Sequence, residues 1–146
     1  MTLHNLLLLP RLQPLSDLSV LIARLVVGAF LVWGVLDNIL SAERMAEFVS
    51  FLAAYKFPLP EVMARLSVWV QFLIGVSFIL GLGTRLAGLL CVMNFIVAIA
   101  MVDMHGGIRA SFPSACLILF GFYFATSGAG RLALDHMLAR QEEPHD

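Results

Sequence analysis

Four long apolar stretches dominate this chain and constrain its fold more than any other feature. They cover residues 18–36, 62–82, 86–102 and 111–127, and each approaches the roughly 20 residues that a helix needs to cross about 30 Å of hydrocarbon. Only 13% of the 146 residues are charged and 60% are hydrophobic, whereas a soluble domain usually places charge on about a quarter of its residues. The sequence therefore predicts an integral membrane protein and excludes a soluble monomer, a disordered chain and a disulfide scaffold.

The four stretches are expected to be helices and not the strands of a membrane barrel. Only a helix satisfies every backbone group within one segment, and the alternating pattern of barrel strands is absent from the sequence. The connections at 81–84 and 103–110 are short and contain glycines, so the helices that they join must be antiparallel. We expect an all-α integral membrane bundle of four transmembrane helices, up-down, in a single domain over residues 1–146 with a short polar tail at 139–146.

The first connection is longer and predicts a structure of its own. Its apolar residues recur at helical spacing opposite Glu43, Arg44 and Glu47, which is typical of an amphipathic helix. The helix is expected to end before residues 57–60, which include two prolines. We therefore expect an interfacial amphipathic helix between the first and second spans, with a loosely packed loop as the alternative because the segment is short for an isolated helix.

The charges exclude one class of partner and orient the chain. Nine basic residues stand against ten acidic ones, with no basic run, so nucleic-acid binding has no electrostatic basis. Four spans place both termini on one side, which would hold five arginines against four basic residues on the other side. The positive-inside rule then favours cytoplasmic termini. The first residues lack the pattern of a cleaved signal and are expected to be a retained tail.

Three fragments, in order and correctly spaced, share a pattern of arginines and glycines. The first span contains ARLVVGAFLVWG, the second places Gln71 four residues before a glycine, and GAGRLALD follows the last span. Together they resemble the DoxX family of small four-helix membrane proteins, found mainly in bacteria. Besides Arg24, the residues that match this pattern, and that the resemblance implies to be structural, are Gly28, Gly34, Gly75, Gly81, Arg85, Gly128, Gly130, Arg131 and Asp135.

The chain departs from the DoxX pattern at two positions. The family commonly has a Lys three residues after Gly34, where this chain has Asp37. It also commonly has a Glu four residues before Gly75, where this chain has Gln71. The two changes remove ionisable groups of opposite sign, so we hypothesise that the two positions approach each other.

A few polar residues in or near the spans are candidate ligand-facing or quinone-facing groups. Arg24 either extends to the headgroups or faces the bundle and binds a carbonyl or an anionic headgroup. Gln71 is either an interhelical hydrogen-bonding residue or a quinone or substrate contact. Asn94 and His105 lie on one stripe of the third span, which runs from mid-membrane to its end.

Two charged pairs follow from spacing alone. Asp103 and His105 are the best candidates for a titrating pair, with a solvated loop pair as the alternative. Arg131 and Asp135 are four residues apart and are expected to pair at a helix end. No metal-ligand motif emerges, since the four histidines fall on different segments. With no catalytic motif and no paired carboxylates in the spans, catalysis by the chain alone is not expected.

The resemblance implies a multi-pass protein of the bacterial inner membrane that serves as an accessory or anchoring subunit of a quinone-linked redox system. Its partners would be the lipid bilayer, redox subunits and further copies of the chain, with quinone as a candidate ligand and no covalently bound cofactor. The alternative is a small oligomeric transporter or lipid-binding protein without a redox role, in which Arg24, Gln71 and Asn94 line a cavity. A third hypothesis is a pure scaffold.

Overall fold

The computed structural model describes residues 15–141. The predicted N-terminal tail and the last five residues of the predicted C-terminal tail lie outside this part of the chain. The described residues form six α-helices and no strand. They are α1 (Ser16–Leu40), α2 (Ala42–Ala54), α3 (Pro60–Leu80), α4 (Thr84–Met101), α5 (Ile108–Ser127) and α6 (Leu134–Gln141), with a 3-10 helix at Asp103–Gly106.

Helices α1, α3, α4 and α5 are long and apolar enough to cross a membrane, which confirms the predicted all-α bundle with four candidate spans. Their ends differ from the predicted spans by at most four residues. The largest difference is in α1, which extends to Leu40 where the prediction stopped at residue 36. Helix α6 extends to Gln141, so the first residues of the predicted polar tail are helical.

Two close glycine crossings join the spanning helices in pairs. A Cβ atom on Gly28 of α1 would lie 2.7 Å from the carbonyl oxygen of Gly75 of α3. In the same way, a Cβ on Gly88 of α4 would lie 2.5 Å from the carbonyl oxygen of Gly121 of α5. Both distances are shorter than a carbon–oxygen contact allows, so each crossing needs glycine on both helices. Such contacts stabilise membrane helices through van der Waals packing between backbones.

The two helix pairs are joined by a buried apolar core. At its centre the rings of Phe78 from α3 and Phe124 from α5 pack edge to face, with centroids 4.8 Å apart, and both side chains are fully buried. Leu31 of α1 and Cys91 of α4 belong to the same cluster. Each of the four spanning helices therefore contributes to one core, while its outer face remains exposed for lipid.

The helix predicted between the first two spans is present as α2. The hydroxyl of Ser41 caps its start by accepting from the backbone N–H of Arg44 at 3.3 Å, and Leu52 is buried. Its location in the membrane interface stays a prediction. Helix α3 begins soon afterwards with Pro60 in its first turn, where a proline costs no helical hydrogen bond.

Antiparallel packing gives the bundle two distinct ends. We call the end formed by residues 78–85 and 125–138 the latched end, because the segment after α5 is hydrogen bonded to the start of α1 and to the α3–α4 turn. The other end, formed by α2 and residues 55–60 and 102–108, is called the open end.

Candidate functional site

An apolar groove between α2, α3 and α4 lies towards the open end. It has a volume of about 450 Å³ and is lined by fifteen residues, of which all except Ser67, Asn94 and Asp103 are apolar. Ligand pockets in proteins commonly combine such apolar walls with a few polar groups that fix the orientation of the ligand. The groove is therefore the best candidate for a small-molecule site in the described part of the chain.

The polar residues of the groove are partly engaged. The hydroxyl of Ser67 donates to the Oδ1 atom of Asn94 at 3.3 Å, which leaves the Asn94 amide nitrogen without an acceptor among the described residues. Nearer the open end, Asp103 accepts a hydrogen bond from the hydroxyl of Ser114 at 2.5 Å. The groove thus offers one amide donor within α4, from Asn94, and one carboxylate just beyond the end of that helix, from Asp103.

His105 does not form the predicted pair with Asp103. No ion pair or hydrogen bond joins them in the described structure, because Asp103 bonds Ser114 and the Nδ1 atom of His105 lies 3.2 Å from the carbonyl oxygen of Val102. The His105 ring packs edge to face on Tyr55, with centroids 5.7 Å apart. His105 is exposed and is not among the residues that line the groove.

Gln71 links α1 to α3 and does not line the groove. Its Nε2 atom donates to the carbonyl oxygen of Leu31 at 3.3 Å, and a Cβ on Gly34 would lie 3.3 Å from that nitrogen. The arrangement is that of an interhelical hydrogen-bonding residue. Asp37 makes no hydrogen bond to Gln71 within the described residues, and its Oδ2 atom lies 3.8 Å from Nε of Arg44; the approach of positions 37 and 71 stays a hypothesis.

Arg44 belongs to a small charged cluster outside the spans. A hydrogen bond to Glu47, followed by the charges of Glu47 and Asp37, raises the pKa of the Arg44 guanidinium. Because an arginine is ionised at any physiological pH, this shift does not change its charge. All three side chains are more than half exposed, so the cluster is screened by water.

Arg24 faces the bundle, the second of the two alternatives, and its side chain is only 1% exposed. Its guanidinium donates to three carbonyl oxygens: Nε to Phe78 at 3.1 Å, Nη1 to Ala129 at 2.5 Å and Nη2 to Leu132 at 3.3 Å. Phe78 lies in the last turn of α3, where the negative end of a helix dipole favours a cation. All three nitrogens are therefore engaged by backbone carbonyls, and Arg24 is not among the residues that line the groove.

Asp135 caps the start of α4. Its two carboxylate oxygens accept from the backbone N–H groups of Gly83 at 2.8 Å and Thr84 at 3.0 Å, and its own N–H donates to the carbonyl of Gly81 at 2.9 Å. The predicted pairing with Arg131 is therefore wrong, and no ion pair joins the two among the described residues. A helix start offers unpaired N–H groups and a positive dipole end, which favours the carboxylate there.

The other family-pattern residues of the latched end have similar roles. Arg85 donates through Nη1 to the carbonyls of Ala125 and Thr126 at the end of α5. Gly81 has a φ of 68°, and a Cβ there would lie 2.6 Å from Nη1 of Arg24. Gly128 and Gly130 also have positive φ angles. These residues of the pattern therefore lie where the segment after α5 meets the ends of the spanning helices.

Sequence reasoning missed two features of the site. The groove is formed by apolar side chains from three helices, and no motif distinguishes these residues from the rest of the apolar surface. The Gly88–Gly121 crossing was missed because neither glycine belongs to the pattern that resembles the DoxX family. A pair of glycines inside two spans that are joined by a short connection was the available signal.

The family model described as DoxX matches residues 19–105, from the first turn of α1 to the 3-10 helix, which is more than half of the chain. No curated protein and no solved structure matches it. Together with the four apolar helices, the family match identifies a multi-pass membrane protein.

Proposed function

Because this chain belongs to the DoxX family, we propose that it is an accessory or anchoring subunit of a quinone-linked redox system in the bacterial inner membrane. In this role the bundle holds partner subunits at the bilayer and offers the apolar groove to quinone. In this proposal the electron-carrying centres belong to the partner subunits.

The groove is the observation that supports this function best. A quinone has a flat ring with carbonyl oxygens and a long apolar tail, and the twelve apolar lining residues suit the ring and tail. The Asn94 amide nitrogen has no acceptor in the described structure and can donate to one quinone carbonyl. A single placed donor among apolar walls is sufficient to orient such a ligand.

A transporter has less support. Its cavity was expected to include Arg24 and Gln71, but backbone carbonyls already accept from both side chains. Asn94 alone remains available in the groove. A lipid acyl chain would fill the same apolar walls, so a lipid-binding protein is the competing hypothesis that an experiment must distinguish.

The test is native mass spectrometry of the protein purified in mild detergent, with ubiquinone and menaquinone added in separate samples. We expect the wild type to retain quinone and the Asn94→Leu variant to bind it about tenfold more weakly, which corresponds to one lost hydrogen bond. Asn38→Leu is the matched control, because Asn38 lies outside the groove and its amide donates to the carbonyl of Arg44.

Two outcomes would contradict the proposal. Equal quinone retention by the Asn94→Leu and Asn38→Leu variants would show that the groove does not orient the ring. A wild-type protein that holds phospholipid, no quinone and no copurifying subunit would favour the lipid-binding alternative.

A further inference from the structure

The latched end contains a second cavity, which the proposed function does not use. It is a notch of about 610 Å³ between the α3–α4 turn and the segment that follows α5, and it is lined by three basic side chains, Arg85, Arg131 and His136. We propose that this notch binds the phosphodiester group of an anionic phospholipid headgroup.

Arg85 is fixed in a geometry suited to a phosphate. Its Nη1 atom is engaged by the carbonyls of Ala125 and Thr126, at 3.2 and 2.8 Å, while Nε and Nη2 donate to no other described residue. The guanidinium is thus anchored at one corner, and its opposite edge carries two parallel donors. An arginine edge of this kind matches two oxygens of a phosphate.

Gly128 keeps that edge uncovered. A Cβ at this position would lie 3.4 Å from Nε and 3.5 Å from Nη2 of Arg85, so any larger residue would pack against the two donors. The backbone φ of 78° also favours glycine. One glycine therefore both shapes the turn after α5 and leaves the arginine accessible from the notch.

The charge balance of the notch favours an anion. Asp135 is the one acidic residue that lines it, and both of its oxygens already accept from backbone N–H groups. The side chains of Arg131 and His136 make no hydrogen bond or ion pair within the described part of the chain. The notch is thus lined by two guanidinium groups and an imidazole, while the carboxylate of Asp135 is bound to the backbone at the start of α4.

The surroundings of the notch point to a lipid and not to free phosphate. Leu86 lines the notch and is 65% exposed, while Leu82 and Leu132 nearby are also exposed. The notch lies where three apolar spanning helices begin or end, which is the depth of headgroups in a bilayer. A phospholipid would place its phosphate against Arg85 and an acyl chain along Leu86, whereas free phosphate would leave these leucines uncovered.

The test uses the full chain in nanodiscs that contain equal amounts of phosphatidylglycerol and phosphatidylcholine. Native mass spectrometry gives the ratio of the two lipids that remain bound. We expect an excess of phosphatidylglycerol on the wild type and about fivefold weaker retention for Arg131→Gln, the effect of one basic residue near an anionic surface. This variant should fold, because Arg131 bonds the rest of the structure through its backbone N–H, to Asp17.

Arg109→Gln is the matched control, since Arg109 is exposed at the opposite end of α5. Equal loss of phosphatidylglycerol from both variants would mean diffuse charge attraction and would overturn the proposal. An Arg131→Gln variant that retains this lipid like the wild type would do the same. A third arm adds inorganic phosphate to lipid-depleted protein: if phosphate raises the melting temperature as much as phosphatidylglycerol does, the site recognises free phosphate and the lipid assignment fails.

Discussion

The two ends of the bundle are held together by different physical means. At the latched end, buried or capping charges bind the backbone: Arg24 binds three carbonyls, Asp135 binds two N–H groups and Arg85 binds two carbonyls. At the open end, apolar residues of α2 line a groove, and the ion pairs of Arg44 with Asp37 and Glu47 are exposed.

This difference suggests that one end of the bundle is rigid and that the other is accessible to a ligand. Arg24, Asp135 and Arg85 each bind backbone groups at a helix terminus of the opposite dipole sign. The three carbonyls bound by Arg24 are buried or partly buried, so removing its guanidinium leaves them unpaired. Apart from the hydrogen bond between Ser114 and Asp103, the contacts described at the open end are apolar or exposed, so a side chain there can move without leaving a buried backbone group unpaired. We infer that the latched end sets the stability of the fold, while the open end can adapt to a ligand.

The largest effect is expected from Arg24→Met, which removes the guanidinium but keeps an apolar side chain of similar length. Three carbonyls would lose their donor, and each unsatisfied buried polar group costs about 1–3 kcal/mol. We expect a loss of about 3 kcal/mol or more, seen as a large fall in melting temperature and in monodisperse yield in detergent.

Arg65→Met is the control for this variant, because Arg65 is exposed on α3 near the open end. We expect it to melt close to the wild type. If the two variants lost equal stability, the contrast between the two ends would be wrong.

Asp135→Ala should have the second largest effect. It removes both acceptors from the start of α4, and the loss of a helix cap costs about 0.5–2 kcal/mol. Asp37→Ala is the control, since the carboxylate of Asp37 is 58% exposed at the other end. Thermal unfolding of both variants in the same detergent checks the difference, and an Asp37→Ala variant that is the less stable of the two would reverse the comparison.

The sequence predicted the bundle well because hydropathy and helix length decide where a chain crosses a bilayer. It also located the latched end, since Arg24, Gly81 and Asp135 belong to a spaced pattern. It could not predict which backbone groups these residues bind. Every residue has a carbonyl and nearly every residue has an N–H group, so the sequence does not distinguish the groups that are bound. Spacing suggested Arg131 as the partner of Asp135. In the structure the carboxylate instead accepts from the backbone N–H groups of Gly83 and Thr84, which have no partner within α4.

The groove could not be predicted either, because its lining residues are not distinctive in the sequence. Its walls are apolar side chains like those that face lipid, and only the packing of three helices distinguishes the two sets. Asn94 was identified as a candidate because it lies on one stripe of the third span with His105. Gln71 was identified as another polar residue within a span, and its amide binds Leu31, so a polar residue in a span indicates a partner but not which one.

At the open end, one substitution is expected to raise the stability of the protein. Lys56 follows α2 with a φ of 58°, its N–H donates to the carbonyl of Ala53, and the N–H of Phe57 donates to that of Leu52. This is the Schellman arrangement, in which glycine is the favoured residue. Lys56→Gly should stabilise the end of α2 by about 1 kcal/mol, because a left-handed conformation costs other residues roughly that amount. A lower melting temperature for this variant would show that the Lys56 side chain itself contributes to the fold.

The smallest effect is expected from Arg44→Gln, which removes both ion pairs of the open end. These pairs, at 2.8 Å to Glu47 and 3.8 Å to Asp37, join side chains that are all more than half exposed, so water and salt screen them. We expect a melting temperature equal to that of the wild type, at low and at high salt. A fall that disappears in high salt would mean that the ion pairs hold α2 in place, and charge would then stabilise both ends of the molecule.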